Sequence, residues 1–127
     1  MLGIFGIFGR SQEMQRFDQA LRDAGLNPRL VSDAVKITAL KQLKQASGGA
    51  PPDLRACTMA AELVSYCVLG GQEFLNSKGE VETEVVEARL MTAIEAGQGL
   101  DARLVILALH TGLVHPSVVE RFDLGVE

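Results

Sequence analysis

Apolar positions along the chain recur mostly at three- and four-residue intervals, the spacing that puts side chains on one face of an α-helix. In QEMQRFDQALRDAG, Met14, Phe17, Leu21 and Ala24 share such a face, Ser11 stands where an N-cap belongs, and Gly25 is placed to end the helix. Asn27-Pro28 reads as a second start, with Pro at the first helical position. The stripe that follows wanders. Leu30, Val31, Ala34 and Ile37 cluster, and Ala39, Leu43 and Ala46 then fall nearly opposite, so the pattern predicts a bend near Thr38 or two shorter helices. SGGAPP at 47–52 is a loop, because its prolines exclude helix until Asp53 can cap the next one.

From 53 to 75 two apolar rows run side by side: Leu54, Cys57, Ala61, Val64, Val68, Gly71 and Leu75 form one, and Ala60, Leu63, Cys67, Gly70 and Phe74 the other. Only a narrow polar strip remains, which predicts the central helix of a bundle. Arg55, Glu62 and Glu73 interrupt the run, so no uncharged stretch reaches the roughly 20 residues of a membrane span. Asn76-Ser77-Lys78-Gly79 predicts a turn. The segment 80–96 alternates at first and then turns helical; helix throughout is the better reading, since Glu in the first turn suits a helix N-terminus. On that helix Val81, Val85, Ala88 and Ala96 make one ridge and Val86, Leu90, Ala93 and Ile94 another, with Glu80, Glu84, Glu87 and Glu95 between them. Asp101 is read as the cap of a fifth helix to about 114, although RLVILAL alone would also suit a buried strand. His115-Pro116 starts a short last helix ending near Phe122. The expected fold is all-α: a single helical domain over 11–127, a bundle-like array of five to six helices, preceded by an apolar arm at 1–10.

Composition changes this picture in one respect. With 127 residues the chain is long enough for a core without disulfide or metal supports. Its mean hydropathy of +0.18 exceeds what a compact monomer needs. The surplus lies in GIFGIFG, where Ile4, Phe5, Ile7 and Phe8 alternate with glycines, and in helices apolar on more than one face. The arm is read as partner-binding, packing on its own domain, on a twin subunit, on another protein or on a membrane surface. The expected assembly is a homodimer.

The net charge of −4 and pI near 5.2 argue against nucleic acid, which requires phosphate-neutralising Lys and Arg. The half from 1 to 56 has an excess of basic residues, but lacks aromatics between Phe17 and Tyr66 for base stacking. Cys57 and Cys67, ten apart, fit neither CxxC chemistry nor a zinc cluster and read as buried thiols. The first residues lack a basic n-region and an A-x-A site, which leaves the cytoplasm as the expected location.

Three residues carry what chemistry the pattern offers. Glu62 and His110 are ionisable groups set in apolar helices, and Tyr66 lies one turn from Glu62. If their helices face, Glu62 would orient His110 and Tyr66 would add a hydroxyl, a rudimentary acid–base or ligand site. The competing reading has Thr58, Glu62, Tyr66 and Glu73 as a solvated strip and His110 as a satisfied core histidine. No metal site is expected: with Gly79 in the glycine slot of an EF-hand loop, the ligand positions hold Phe74, Asn76, Lys78 and Val85, and His110 and His115 are five apart across a helix end. No cofactor is expected either.

An apolar helix followed by NSKGEVETEVVEARL resembles the helix-turn-helix of TerB-like tellurite-resistance domains over about 25 residues. Those domains have Asp-Gly with a Glu shortly after; here Lys78 stands in the Asp position and Glu84 comes one place early, so no metal role is implied. No motif names a specific function. The reading that fits the whole chain is a non-enzymatic interaction or structural module that self-associates. The alternative is a small enzyme or ligand-binding protein built on Glu62, Tyr66 and His110.

Overall fold

A computed structural model describes residues 11–125. The arm at 1–10, with Ile4, Phe5, Ile7 and Phe8, lies outside the described residues. The domain is all-α, with seven helices among the described residues: α1 (Gln12–Asp23), α2 (Asp33–Ala46), α3 (Leu54–Leu69), α4 (Gly71–Lys78), α5 (Glu80–Ala96), α6 (Leu100–His110) and α7 (Pro116–Arg121). A 3-10 turn, Pro28–Leu30, precedes α2. No described helix is long and apolar enough to cross a membrane.

Most starts follow the cap residues. The Ser11 hydroxyl accepts from the Met14 amide, Asn27 from Arg29, and Asp53 from Ala56, each satisfying a donor that a helix start leaves open. α1 buries Met14, Phe17 and Leu21 as its periodicity requires. The second segment departs from expectation: the break comes at Val31-Ser32, where Ser32 caps α2, and the helix runs continuously past Thr38. The Thr38 hydroxyl simply bonds back to the Ala34 carbonyl. Asp101 is likewise not a cap. Gly99 takes that place and α6 closes at His110.

α3 is the central helix, with α1, α2, α4, α5 and α6 all packed against it. Cys57, Ala60, Ala61, Leu63, Val64, Tyr66 and Cys67 are buried along it. The expected helix to residue 75 is broken at Gly70, which is why there are seven helices rather than five or six. Gly70 has φ +87° and ψ 162°, a conformation open in practice to glycine alone. A Cβ there would also stand 3.1 Å from the His115 ring. Gly79, at φ +90° and ψ 172°, makes the next corner in the same way, so Asn76–Lys78 remain helical and a single residue joins α4 to α5. Apolar periodicity runs unbroken across Gly70-Gly71 and gives no sign of this corner.

Polar contacts lock the array. Lys36, 4% exposed, reaches Asp18 at 2.8 Å and ties α2 to α1. Arg89 grips Asp101 with two hydrogen bonds of 3.1 and 2.9 Å and donates to the Met59 carbonyl at 3.0 Å, joining α5, α6 and α3. Lys78 donates to the Asp23 carbonyl at the end of α1, where the helix dipole favours a cation, and pairs with Glu82. Lys78, at the end of α4, thus docks α1 with a cation.

Removing Lys36 takes the countercharge at 2.8 Å from the mostly buried Asp18 carboxylate. Lys36→Ala should lower unfolding stability in urea by about 3–5 kcal/mol, and substituting both Lys36 and Asp18 with apolar residues should cost much less. A loss below about 1 kcal/mol for the single variant would show that Asp18 finds water instead.

Candidate functional site

Tyr66 is in the last turn of α3, and its ring is fully buried. Phe74 of α4 meets it edge-on at 5.6 Å between centroids, and Phe122, just past α7, does so at 6.3 Å. Both are favourable aromatic geometries. The chain that leads into α7 is brought there by the backbone, since the His115 amide donates to the Cys67 carbonyl at 2.7 Å.

A buried phenol needs a partner for its hydroxyl. Tyr66 donates to Oε2 of Glu87 at 2.6 Å, a short charge-assisted bond, and the other carboxylate oxygen accepts from Arg121 at 3.2 Å. The relay Tyr66–Glu87–Arg121 thus joins α3, α5 and α7. Gly71, at the start of α4, makes room for it: a Cβ there would lie 3.2 Å from the Tyr66 hydroxyl and 3.6 Å from Glu87. Above the relay opens a cleft of about 560 Å³ lined by Gln72, Glu80, Thr83, Glu84 and Ser117.

The relay is built to hold a proton in place. Burial, followed by the hydrogen bond to Glu87 and its negative charge, raises the Tyr66 pKa far above the ordinary value for tyrosine. The phenol stays protonated at neutral pH and cannot act as a base. Glu87 has each oxygen occupied by a donor. His115 is similarly committed: its Nδ1 accepts the Ser117 amide at 3.0 Å, capping α7, with the Ser117 hydroxyl 2.8 Å away. The two thiols are buried as well. Burial pushes Cys67 up to about 12 and also raises Cys57, so neither is a ready nucleophile.

Of the three residues singled out in the sequence, the structure brings Tyr66 alone into a polar constellation. Glu62 is half-buried on the polar strip of α3, and His110 is exposed at the end of α6. No hydrogen bond or ion pair joins them. Tyr66 leaves the strip because the helix turns its ring under Gly71. Its true partner, Glu87, belongs to the acidic stripe of α5 and is 21 residues away, a separation that nothing in the local pattern encodes. Among the described residues no group of three His, Cys, Asp or Glu side chains is placed to hold a metal.

A second surface is apolar. α5 buries Thr83, Val86, Leu90 and Ala93 against the domain. Its other ridge faces water: Val81 is 75% and Val85 54% exposed, and Ala88, Thr92 and Ala96 are exposed beyond them. These five positions, spaced by three or four, form one stripe about 22 Å long at the helical rise. Beside it runs a groove of about 670 Å³, lined by Val85, Ala88, Thr92, Ala96 and Leu100 with the Arg89–Asp101 pair at its edge. Comparison with family models, curated proteins and solved structures finds no match for this chain.

Tyr66 is the sole tyrosine, and the chain has no tryptophan, so its ionisation is directly visible in ultraviolet absorbance. Its raised pKa means that the folded state holds the proton more tightly than the unfolded one. That contribution to stability is complete below the ordinary value of about 10 and is lost as pH climbs above it. Phenolate should therefore appear together with the loss of helical circular dichroism, in one alkaline transition. Phenolate forming near pH 10 in a fully helical protein would contradict the relay. Tyr66→Phe should cost about 1.5–3 kcal/mol, the range for a hydrogen bond to a charged group.

Proposed function

We propose that this chain is a non-enzymatic interaction module that self-associates. The observation that carries this reading is the outer ridge of α5. A helix at the edge of a domain ordinarily turns one apolar stripe inward and a polar face outward. α5 has two apolar faces and its own domain covers one of them, leaving valines at 75% and 54% exposure in line with three small residues. Contiguous exposed apolar surface of this kind marks contact surfaces.

The polar groups support the same reading from the other side. Tyr66, Glu87 and Arg121 are engaged with one another and His115 caps a helix, so these groups are used in holding the fold together, while His110 is exposed at the end of α6. An enzyme or ligand site made of Glu62, Tyr66 and His110 would need those side chains to converge, and no contact of that kind links Glu62 to His110. The arm at 1–10 adds a further apolar segment to the same chain, and its contribution to assembly is separable by deletion.

Light scattering across a concentration series, on the full chain and on a chain lacking residues 1–9, tests the reading. A homodimer is expected at micromolar to millimolar concentration, retained after the deletion because the α5 ridge is intact. Loss of the dimer on deletion would move the contact to the arm, and a full-length chain monomeric throughout would end the proposal.

A further inference from the structure

The outer face of α5 is not uniform along its length. Its first half presents Val81 and Val85, bulky and largely in water, as a ridge. Its second half presents Ala88, Thr92 and Ala96, whose small side chains leave the groove that continues to Leu100. Val85 also lines that groove, so the bulky half of the stripe passes directly into the small half. Such a surface is self-complementary under a two-fold rotation, because each copy offers at one end the shape that the other lacks. Laid parallel, two copies would set valine against valine and groove against groove, leaving a void that forfeits contact.

Charge makes the same choice. The start of α5 carries Glu80, Glu82 and Glu84 against the single cation of Lys78. The second half of the helix carries one base, Arg89, and one acid, Glu95, and is balanced. A parallel pair would place the two glutamate-rich ends together. An antiparallel pair keeps them apart, each beside the balanced half of the other copy.

Resting on the self-association proposed above, the geometry points to an antiparallel pairing of two copies across a two-fold axis close to Ala88, with α5 of one laid along α5 of the other. Val81 of each copy then stands by Ala96 of its partner, and Val85 by Thr92. The small residues allow the helix axes to approach to the short end of the usual 8–10 Å.

Cysteine pairing reads this arrangement directly, since a disulfide forms only where Cα atoms come within about 7 Å. The native Cys57 and Cys67 are buried, and the unaltered chain run in parallel reports any background from them. Val81→Cys and Ala96→Cys are both on exposed positions, so folding is not at stake. Mixed and oxidised, the two variants should yield chiefly the mixed disulfide, with little dimer from either alone. Val85→Glu should weaken association by roughly tenfold or more, as the loss of a buried valine contact demands, whereas Leu54→Glu, exposed and off the stripe, should leave it unchanged. Efficient Val81→Cys homodimers would show a parallel pair and overturn the inference. A dimer by light scattering with no cross-link between these sites would overturn it too, while leaving self-association standing. A monomer at every concentration would remove both.

Discussion

The buried hydroxyl of Tyr66 is the contact through which the second half of the molecule is assembled. α3 is apolar around most of its circumference, so it must be wrapped, and wrapping it closes the phenol off from water. The hydroxyl then has to be bonded inside the protein. Glu87 meets that need at 2.6 Å, which sets where α5 lies over α3, and Arg121, largely exposed, adds a donor to the carboxylate from the last helix. Phe74 and Phe122 pack on the same ring from two further sides. A single side chain thus specifies the placement of α4, α5 and α7.

This arrangement depends on two glycines. Gly70 lets α3 end at once and lets the chain before α7 pass against it; Gly71 leaves space over the phenol. With Gly79 they turn three helices through two corners without a loop. Elsewhere the Lys36–Asp18 pair ties α2 to α1, and the Arg89–Asp101 fork holds α5 to α6. The polar chemistry of the domain is thus mostly directed inward at its own helices. The outer face of α5, with Val81 and Val85, is among the apolar surfaces that the described residues leave exposed.

Much of the fold was legible. Ser11 and Asp53 cap the helices they were expected to cap, whereas Asn27 caps only a 3-10 turn and Ser32 starts α2; α1 buries the face that its spacing defines. The dual apolar ridges of α5 were also visible, and both are real features of the helix. The exact corner at Gly70 was not, because apolar periodicity continues across it, and Thr38 suggested a bend where the break instead falls at Ser32. The candidate site was legible in one residue of three. Tyr66 was singled out for its closeness to Glu62, whereas its partner is Glu87; helical spacing relates neighbours within a helix but says nothing of the residue that a second helix brings across.

By itself the sequence determined which segments are helical and where most of them start. These follow from forces acting within a few residues: cap hydrogen bonds, glycine and proline conformations, and the period of side chains on a helix. Only the tertiary structure decided which ridge of α5 is covered, that Lys36 is buried on Asp18 while His110 stays in water, and that Tyr66 belongs to Glu87. Those outcomes depend on the angles at which helices cross and on which polar atoms lose their water as a result, quantities fixed by the packing of the whole core rather than by any stretch of it.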